Sequence, residues 1–525
     1  MNYLKISKAT ELSGKDKKLY RVLEFLPGFL SWFLLLSLII LSYFRPTWVA
    51  YFIIAFDVYW LLLVLYLSLH LIAAYRRLKK NLKVDWLLAL KNLEKKEGLD
   101  KLPPDSLARQ GKNWNDIIHL ILLPTYNEDL KVVRSCFESL VNDGFPLEKM
   151  IVVFAIEERA GVEAKEKAKF IENEFGNKFG HFLITNHPGN IIGELKGKGA
   201  NQAWAGRMAK KMIIDQENLD YGNIIVSVFD IDTVVEKGYF SLLTYKFITS
   251  RDPYRASYQP IPVFHNNVWE APFFARVAAS SNTFWQMMQQ IRHEKLATYS
   301  SHSMTFKALI DIDFWSTNMV SEDSRIFWHC YLYYNGDYRV EPLNFPISMD
   351  VTMDKSIRLS AKSLYKQQRR WGWGVENVPY LIFNTIKRWN QLPKRKIISK
   401  IFVQIHGFHS WATNAIIIGI ISWLPMILGG DRFNITVLSG NLPLVTRTLM
   451  SFAMIGLVIA AIMSTLLLPK KPSNYGFSKN IIMIAQWLIL PISIIIFGAI
   501  PGLEAQTRLM FGKYMGFWVT PKIRK

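Results

Sequence analysis

The chain has 525 residues, of which 50% are hydrophobic and 14% aromatic. That is richer in apolar side chains than soluble proteins usually are, and it predicts a membrane-embedded part beside a soluble one. The formal net charge is +21. Because the basic residues cluster where apolar runs end, they are typical of segments that face anionic lipid, and we expect no nucleic-acid partner. Two cysteines without a CxxC or Cys/His cluster argue against a disulfide framework and a zinc site.

Two apolar runs near the amino terminus, residues 25–44 and 51–74, can each cross about 30 Å of hydrocarbon as a helix rising about 1.5 Å per residue. A short turn at Arg45-Pro46-Thr47 separates them, and together they predict a transmembrane hairpin over residues 25–76. Residues 1–24 form a charged segment without the small-residue cleavage site of a signal peptide. We therefore expect both helices to be retained and residues 1–24 to lie in the cytosol.

Residues 77–355 are mixed in composition and contain short apolar runs that end in polar loops. Runs at 119–123, 151–156 and 224–229 predict strands, and the amphipathic stretch 130–140 predicts a helix between two of them. This pattern is typical of a mostly parallel, Rossmann-like sheet covered by helices. Ligands of such sheets bind at the carboxyl ends of the strands, where we expect the functional site.

The remainder of the chain returns to the membrane. Residues 356–400 read as interfacial helices, residues 401–500 as a C-terminal transmembrane bundle and residues 501–525 as an amphipathic basic tail. The bundle contains three more apolar runs of spanning length, at 411–428, 444–468 and 481–500. Five spans would place the basic tail outside the cell, against the positive-inside rule. Either the run at 481–500 is re-entrant, or the count of spans differs and the tail lies along the interface.

A polar turn at residues 124–129 follows the first predicted strand directly. Its sequence, PTYNED, combines hydrogen-bonding groups with one aromatic face at the edge where ligands bind. A helix-capping role for Asp129 explains the same residues without a ligand.

Asp230 and Asp232 follow the predicted strand at 224–229. Alternation points both carboxylates to one face, which is unfavourable unless a cation or water offsets their repulsion. Mg²⁺ and Mn²⁺ are held in this way, by one or two carboxylates with substrate phosphates completing the shell. The pair therefore predicts a divalent-cation site, although a DxD sequence alone also occurs without one.

Two further stretches admit both a functional and a structural interpretation. Residues 196–201, KGKGAN, offer small residues and two ammonium groups, which suits a loop around a diphosphate but also a solvated turn. Ser321-Glu322-Asp323 precedes an amphipathic segment at 325–334. Its acids either cap a helix or include a general base that accepts a proton from an attacking hydroxyl.

Gln367, Arg370 and Trp371 are spaced so that they share one helix face. An amide, a guanidinium and an indole together suit a phosphorylated sugar, because Arg binds the anion and Trp stacks on the flat face of a pyranose. A basic interfacial helix with Trp371 and Trp373 at the headgroups is the alternative.

In chain order, PTYNE, KxxxxN, DxD, SED and QxxRW resemble the signature series of family 2 glycosyltransferases. The likeness is greatest to the membrane-bound processive synthases of cellulose, chitin and hyaluronan, and it covers residues 117–371. It implies an α/β catalytic domain of GT-A fold combined with a helical transmembrane bundle. It also implies inverting transfer from a UDP-linked or other nucleotide-sugar donor, with Mg²⁺ or Mn²⁺ as cofactor.

The resemblance further implies roles for single residues. The nucleotide-sugar donor would be bound by Thr125, Tyr126, Glu128, Lys196, Asn201 and Asp230. Asp230 and Asp232 would hold the metal and diphosphate, with Asp232 the more direct ligand. Asp323 would be the catalytic base. The diphosphate and the acceptor end would be bound by Gln367, Arg370 and Trp371.

Several features depart from the family pattern. Glu157 follows the second predicted strand where the family usually has an aspartate, and we expect it to contact the nucleobase. Ser321 replaces the usual threonine. Ser301-His302-Ser303 stands in place of a Gly-Thr-Asn stretch, which leaves acceptor contacts there open. Residues 517–522, FWVTPK, resemble the FxVTxK gating segment but close the chain.

Three functions remain open at this point: repeated transfer to a growing glycan, transfer of one sugar to a lipid phosphate carrier, and a non-catalytic membrane scaffold. We expect a multi-pass protein of the inner or plasma membrane with a cytosolic catalytic domain. Its partners would be the donor, a glycan or lipid-linked acceptor and the bilayer. If the product crosses the membrane, a second copy or an accessory subunit joins them, because five spans are few for a channel in one chain.

Overall fold

The computed structural model describes residues 3–95 and 98–524. Met1, Asn2, Lys96, Glu97 and Lys525, which belong to the expected amino-terminal segment, catalytic domain and tail, lie outside the described residues.

The chain opens with two long antiparallel helices, α1 (Gly14–Phe44) and α2 (Pro46–Asn81). Only Arg45 separates them, so the expected three-residue turn is shorter. Pro46 is the first residue of α2, a position where proline's fixed φ and missing N–H are tolerated.

An eight-stranded sheet forms the soluble part. Its strands are β1 (Ile118–Pro124), β2 (Met150–Glu157), β3 (His181–His187), β4 (Ile224–Val228), β5 (Val234–Val235), β6 (Ala256–Phe264), β7 (Ser303–Thr305) and β8 (Arg339–Met349). They are ordered β3-β2-β1-β4-β7-β6-β8-β5. The first four strands in that order are parallel, as are β6 and β8, while β7 and β5 pair antiparallel with their neighbours.

Helices cover both faces of the sheet. They are α3 (Trp86–Glu94), α4 (Leu130–Val141), α5 (Gly161–Phe175), α6 (Lys198–Ala209), α7 (Tyr239–Thr249), α8 (Phe273–Ile291), α9 (Phe306–Asp311), α10 (Glu322–Tyr333), α11 (Ile357–Gly372) and α12 (Asn377–Lys387). Leu120 and Leu122 of β1 join one buried apolar cluster, and Ile121 and Leu123 join another. This alternation leaves the strand buried on both faces, as parallel sheets require.

The carboxyl-terminal third is helical. Its helices are α13 (Lys394–Gly419), α14 (Leu424–Leu428), α15 (Gly430–Asn434), α16 (Val437–Leu466), α17 (Phe477–Ala485), α18 (Leu490–Ile494) and α19 (Ile500–Met510). Short 3-10 and π segments join α17 to α19, so that Phe477–Met510 is one long helical stretch. After Met510 the chain continues without regular structure to the end of the described residues.

Four helical stretches in the described ranges are long and apolar enough to cross a membrane: α1, α2, α16 and Phe477–Met510. A fifth arises if α13 and the segment Ile421–Leu428, which are bent by 43° at their junction, count as one span. These stretches coincide with the apolar runs expected from the sequence.

The stretch Phe477–Met510 contacts the sheet-bearing part along its length. Gln486 accepts a hydrogen bond from Arg276 of α8 at 2.6 Å, and Phe497 stacks on Phe274 with ring centroids 5.3 Å apart. Farther along, Tyr365 of α11 donates to Glu504 at 2.7 Å. The same stretch also contacts the long helices, because Gln506 accepts a hydrogen bond from Ser31 of α1 and donates one to the Phe408 carbonyl of α13.

The three predicted strands and the helix after the first one are confirmed, and so is the α/β sheet combined with long apolar helices. Strands β3, β5, β6, β7 and β8 were not predicted. The HFLITNH sequence of β3 has polar residues among few apolar ones, and this strand lies at the sheet edge. The expected boundaries at residues 76, 400 and 500 fall inside or at the start of helices α2, α13 and α19.

Candidate active site

The polar side chains singled out in the sequence gather at the carboxyl edge of the sheet. The 124–129 turn follows β1, Glu157 ends β2, and Asp230 and Asp232 follow β4. Asp350, which the sequence analysis did not consider, follows β8.

The turn after β1 is organised by Glu128. Its Oε2 accepts hydrogen bonds from Thr125 Oγ1 at 2.6 Å and from the Tyr126 N–H at 2.8 Å. Asn201 Nδ2 donates to the Ala155 carbonyl of β2 at 2.8 Å. Asn201 is buried, so it braces the loops around the site and holds the turn in place.

Glu157 is also buried, with Arg159 as its partner. Arg159 Nη2 lies 3.1 Å from Glu157 Oε1, and the same guanidinium lies 4.5 Å from the centroid of the Tyr126 ring. One wall of the site therefore consists of Tyr126, Arg159 and Glu157. In it the Arg159 guanidinium contacts both the Tyr126 ring and the Glu157 carboxylate.

Asp230 has two close partners. Ser300 Oγ donates to Oδ2 at 2.6 Å, and Lys198 Nζ lies 2.7 Å from Oδ1. Burial alone would raise the pKa of Asp230, yet the ammonium charges of Lys198 and Lys522 hold it below its ordinary value. Asp230 is therefore a carboxylate and not an acid at neutral pH.

Asp232 is 1% exposed. Lys522 forms an ion pair with its Oδ1, and the Asp350 N–H donates to its Oδ2 at 3.0 Å. The two DxD carboxylates thus contact different lysines from distant parts of the chain.

Asp323 lies in the first turn of α10, and three groups surround it. Lys198 Nζ is 2.9 Å from its Oδ2, His302 Nδ1 is 4.0 Å from its Oδ1, and Thr298 Oγ1 donates to its backbone carbonyl at 2.6 Å. The His302 ring is buried, and Nδ1 faces the Tyr299 carbonyl at 2.9 Å. Because a carbonyl only accepts, Nδ1 carries the proton.

The sequence predicted that Lys196 faces the donor, but Lys198 is the lysine that contacts the aspartates of the site. Lys196 is exposed on the loop, whereas the Lys198 side chain is 10% exposed and bridges Asp230 and Asp323. Burial alone would lower the pKa of Lys198, but the charges of the two aspartates hold it above its ordinary value. Nothing in the KGKGAN sequence distinguishes the two lysines; only the start of α6 at Lys198 does so.

Glu322, beside Asp323, is 2% exposed. Burial, with the neighbouring charge of Asp323, raises its pKa to about 8. The serine before it, Ser321, donates to Glu376 Oε1 at 2.6 Å. The SED motif thus contains one buried acid that favours its protonated form and one carboxylate that faces an ammonium group.

Several buried polar atoms near these motifs have no hydrogen-bond partner among residues 3–95 and 98–524. They are Asn201 Oδ1, Gln202 Oε1 and Nε2, Glu322 Oε2, Arg370 Nε and Thr520 Oγ1. Buried polar atoms are nearly always bonded in folded proteins. Those on the motif-bearing segments are therefore positions at which a polar ligand would supply the missing hydrogen-bond partner.

The QxxRW residues lie on α11, as predicted. Gln367 Oε1 accepts a hydrogen bond from Thr352 at 2.6 Å, the Arg370 guanidinium lies 5.1 Å from the Phe517 ring centroid, and Trp371 lies 6.2 Å from the Phe264 ring centroid. Gln367 and Trp371 line a cavity of about 10 Å³, which is room for about one water molecule. A sugar needs this region to open.

The carboxyl-terminal segment closes the site. Phe517 packs against Gly197, where an added Cβ would lie 2.6 Å from the phenylalanine ring. Arg524 Nε lies 3.0 and 3.1 Å from the two carboxylate oxygens of Asp350. The FxVTxK likeness flagged this segment, but Arg524 and Asp350 carry no local signal of their pairing.

The DxD pair suits a cation. Each carboxylate forms an ion pair with a lysine, so a positive charge is favourable next to both of them. Across the described ranges, no group of three or more His, Cys, Asp or Glu side chains is arranged to hold a metal. A divalent ion at Asp230 and Asp232 would therefore take its remaining ligands from phosphate oxygens or water, as Mg²⁺ commonly does.

Comparison with known proteins gives one family. The family model described as glycosyl transferase family group 2 matches residues 225–496, just over half of the 525 residues. The match begins within β4 and includes the DxD, SED and QxxRW motifs. No curated protein sequence gave a match.

The solved structures that match this chain are distant in sequence. The mannosyltransferase PcManGT from Pyrobaculum calidifontis, in complex with GDP-Man and Mn²⁺, is 11% identical over 79% of this chain and 99% of that chain, with a TM-score of 0.41. S. aureus TarS 1–349 is 13% identical over 67% of this chain and 91% of that chain, with a TM-score of 0.36. TarS 1–349 in complex with UDP-GlcNAc is 12% identical over the same shares, with a TM-score of 0.31.

Proposed function

This chain belongs to glycosyl transferase family group 2, and we propose that it catalyses inverting transfer of a sugar from a nucleotide-sugar donor, UDP-linked, to a glycan acceptor at a membrane. It is a glycosyltransferase with a GT-A domain. The donor, the stereochemistry, the acceptor and the metal are the proposed parts.

One observation carries the proposal. Asp230 and Asp323 both contact a single ammonium group, with Lys198 Nζ 2.7 Å from Asp230 and 2.9 Å from Asp323. A base that activates the acceptor hydroxyl must lie next to the place where the donor diphosphate and its cation are held. The sequence separates these two aspartates widely, and the fold brings them to one ammonium.

The residues then take the following parts. Asp323 accepts the proton of the attacking acceptor hydroxyl as that oxygen bonds to the anomeric carbon and the bond to the diphosphate breaks. Asp230 and Asp232 would hold a Mg²⁺ or Mn²⁺ ion, which would supply the positive charge that the departing diphosphate needs. The turn with Thr125, Tyr126 and Glu128 receives the nucleoside.

The remaining contacts come from the other predicted residues. Glu157 lies in the wall beside Tyr126 and would contact the nucleobase. Lys196, exposed on its loop, would reach the donor only after the loop moves. Asn201 would support the donor site indirectly, through its hydrogen bond to the Ala155 carbonyl. Gln367, Arg370 and Trp371 would bind the diphosphate and the acceptor end once the small cavity beside α11 opens.

We propose that the catalytic domain lies on the cytosolic side of the membrane. The hairpin α1–α2, the bent α13–α14 segment and α16 give four crossings, an even number, and Phe477–Met510 stays beside the catalytic domain that it contacts. The basic tail then lies on the cytosolic side, in agreement with the positive-inside rule. The contacts of Lys522 and Arg524 with Asp232 and Asp350 support this topology.

Repeated transfer and single transfer both fit this site. The polar residue His409 of α13 has a partner within the helical bundle, because its Nδ1 lies 3.2 Å from Ser31 Oγ of α1. Such interhelical hydrogen bonds explain a polar residue without a glycan. With four crossings in one chain, a glycan channel would need a second copy or an accessory subunit.

A panel of nucleotide sugars tests the proposal. Purified full-length protein in lipid nanodiscs is incubated with each donor, Mn²⁺ and a glycan or lipid phosphate acceptor, and nucleotide diphosphate release is measured. We expect one UDP-sugar to give release that depends on acceptor and is absent from Asp323→Asn. Product length then separates repeated from single transfer. Release by no donor, or equal release by the variant, would contradict the proposal.

A further inference from the structure

Lys198 occupies an unusual place for a lysine. It is the first residue of α6, where the positive end of the helix dipole disfavours an ammonium group. Its side chain is nevertheless 10% exposed. A buried cation at a helix amino terminus is stable only if nearby negative charge outweighs both penalties.

Two aspartates supply that charge. Asp230 and Asp323 are both in direct contact with Nζ. The Glu322 side chain packs against Gly199 of the same helix turn, where an added Cβ would lie 3.1 Å from Glu322 Cγ. Lys198 is therefore enclosed by the two motifs that carry the proposed metal site and the proposed base.

A divalent ion at the DxD pair and the Lys198 ammonium would both contact Asp230. The Lys198 Nζ–Asp230 Oδ1 distance of 2.7 Å places the ammonium in the direct shell of a proposed metal carboxylate. Two cations cannot both keep close contact with one carboxylate without mutual repulsion, which is strong where water is excluded. The Asp323 contact, in contrast, needs no metal and survives when Asp230 changes partner.

We infer that Lys198 is an internal counter-cation: it competes with the divalent metal for Asp230 and, after the metal-bound donor displaces it there, remains on Asp323 as the residue that positions the base. The inference rests on the proposed metal-dependent transfer. It adds that the same ammonium weakens metal binding and promotes transfer. A residue that only supports the fold would not produce these two opposite effects.

Mn²⁺ binding to the full-length protein in nanodiscs, measured by titration calorimetry without a donor, tests the competition. Lys198→Gln removes the charge and keeps a similar length, Lys198→Met removes the polarity as well, and Lys198→Arg keeps the charge. Lys307→Gln, on an exposed lysine of α9, is the matched control. We expect both neutral variants to bind Mn²⁺ about tenfold more tightly than wild type, within the usual range of coupling between sites, and the other two to bind as wild type does.

Transfer is measured in parallel with the donor found by the panel. The neutral Lys198 variants should lose about 10²-fold in kcat, a typical effect at an acid–base site, despite their tighter metal binding. Neutral variants that elute and melt like wild type but bind Mn²⁺ no more tightly would overturn the inference while leaving the proposed function intact. Absence of Mn²⁺ binding by wild type and all variants would overturn both.

Discussion

Lys522, in the carboxyl-terminal segment, forms an ion pair with Asp232, a residue 290 positions earlier in the chain. The lysine side chain is 15% exposed and the aspartate 1%, so the pair is closed off from water. Burial alone would lower the pKa of Lys522, but the charges of Asp232 and Asp230 hold it above its ordinary value. The end of the chain is thereby held on the proposed metal ligand.

The carboxyl-terminal segment should loosen when Gly197 gains a side chain. Gly197 has φ +153°, and an added Cβ would lie 2.6 Å from Phe517. We expect Gly197→Ala to cost about 1–3 kcal/mol from the backbone alone and to speed trypsin cleavage after Lys513 and Lys522. Gly193→Ala is the control, since Gly193 also has a positive φ but nothing within 4 Å. Equal cleavage of both variants would contradict the packing of Phe517 over the site.

Asp323→Asn should abolish transfer while leaving donor binding nearly unchanged. The amide cannot accept the proton of the acceptor hydroxyl, and loss of a general base costs about 10²–10⁴ in rate. Turnover and nucleotide affinity are measured on the same preparation. Asp337→Asn, which alters an exposed ion pair with Arg255, serves as the matched substitution and should turn over normally. Wild-type turnover by Asp323→Asn would show that another group is the base.

Asp232→Asn should fail at an earlier step, by weakening metal-dependent donor binding. The departing diphosphate needs a cation to neutralise its charge, and this carboxylate is the more direct of the two proposed ligands. Nucleotide binding is measured with Mn²⁺ and with EDTA for both proteins. We expect EDTA to weaken binding by wild type and to have little further effect on the variant. If EDTA changes neither binding nor transfer in wild type, the DxD pair is not a metal site.

Asp143 should make the protein less stable as the pH rises from about 4 to about 7. Burial raises its pKa to about 7, although backbone N–H groups of Phe240 and Tyr239 oppose the rise. Between the ordinary carboxyl pKa and this value the folded state holds a proton that the unfolded state has lost, so the free energy of unfolding falls with pH.

The test is Asp143→Asn. Tyr239 donates its backbone N–H to Asp143 Oδ2 at 2.7 Å, and an asparagine oxygen can accept the same bond. Melting temperatures of both proteins are compared at pH 5 and pH 8. We expect the difference between the two pH values to be smaller for the variant. An unchanged pH dependence would assign it to other groups.

Some of the site could be predicted because chemistry and position coincide in the sequence. Thr125, Asp230 and Asp232 each follow an apolar run that becomes a strand, and parallel strands bring their carboxyl ends to one edge. Gln367, Arg370 and Trp371 share a helix face because three- and four-residue spacing places side chains on one side. Length and composition likewise identified the long apolar helices, because these two properties decide whether a helix can span lipid.

Tertiary structure alone decided the rest. Lys196 and Lys198 are equivalent in the sequence, but the helix begins at Lys198 and turns that ammonium toward Asp230 and Asp323. Residues 477–510 have the composition of a span, and only the tertiary structure shows that they contact α8 and α11 as well as the long helices α1 and α13. Ion pairs such as Lys522–Asp232 depend on where distant segments meet in space, and hydrophobic periodicity, which reports only how each segment is buried, contains no information about that meeting.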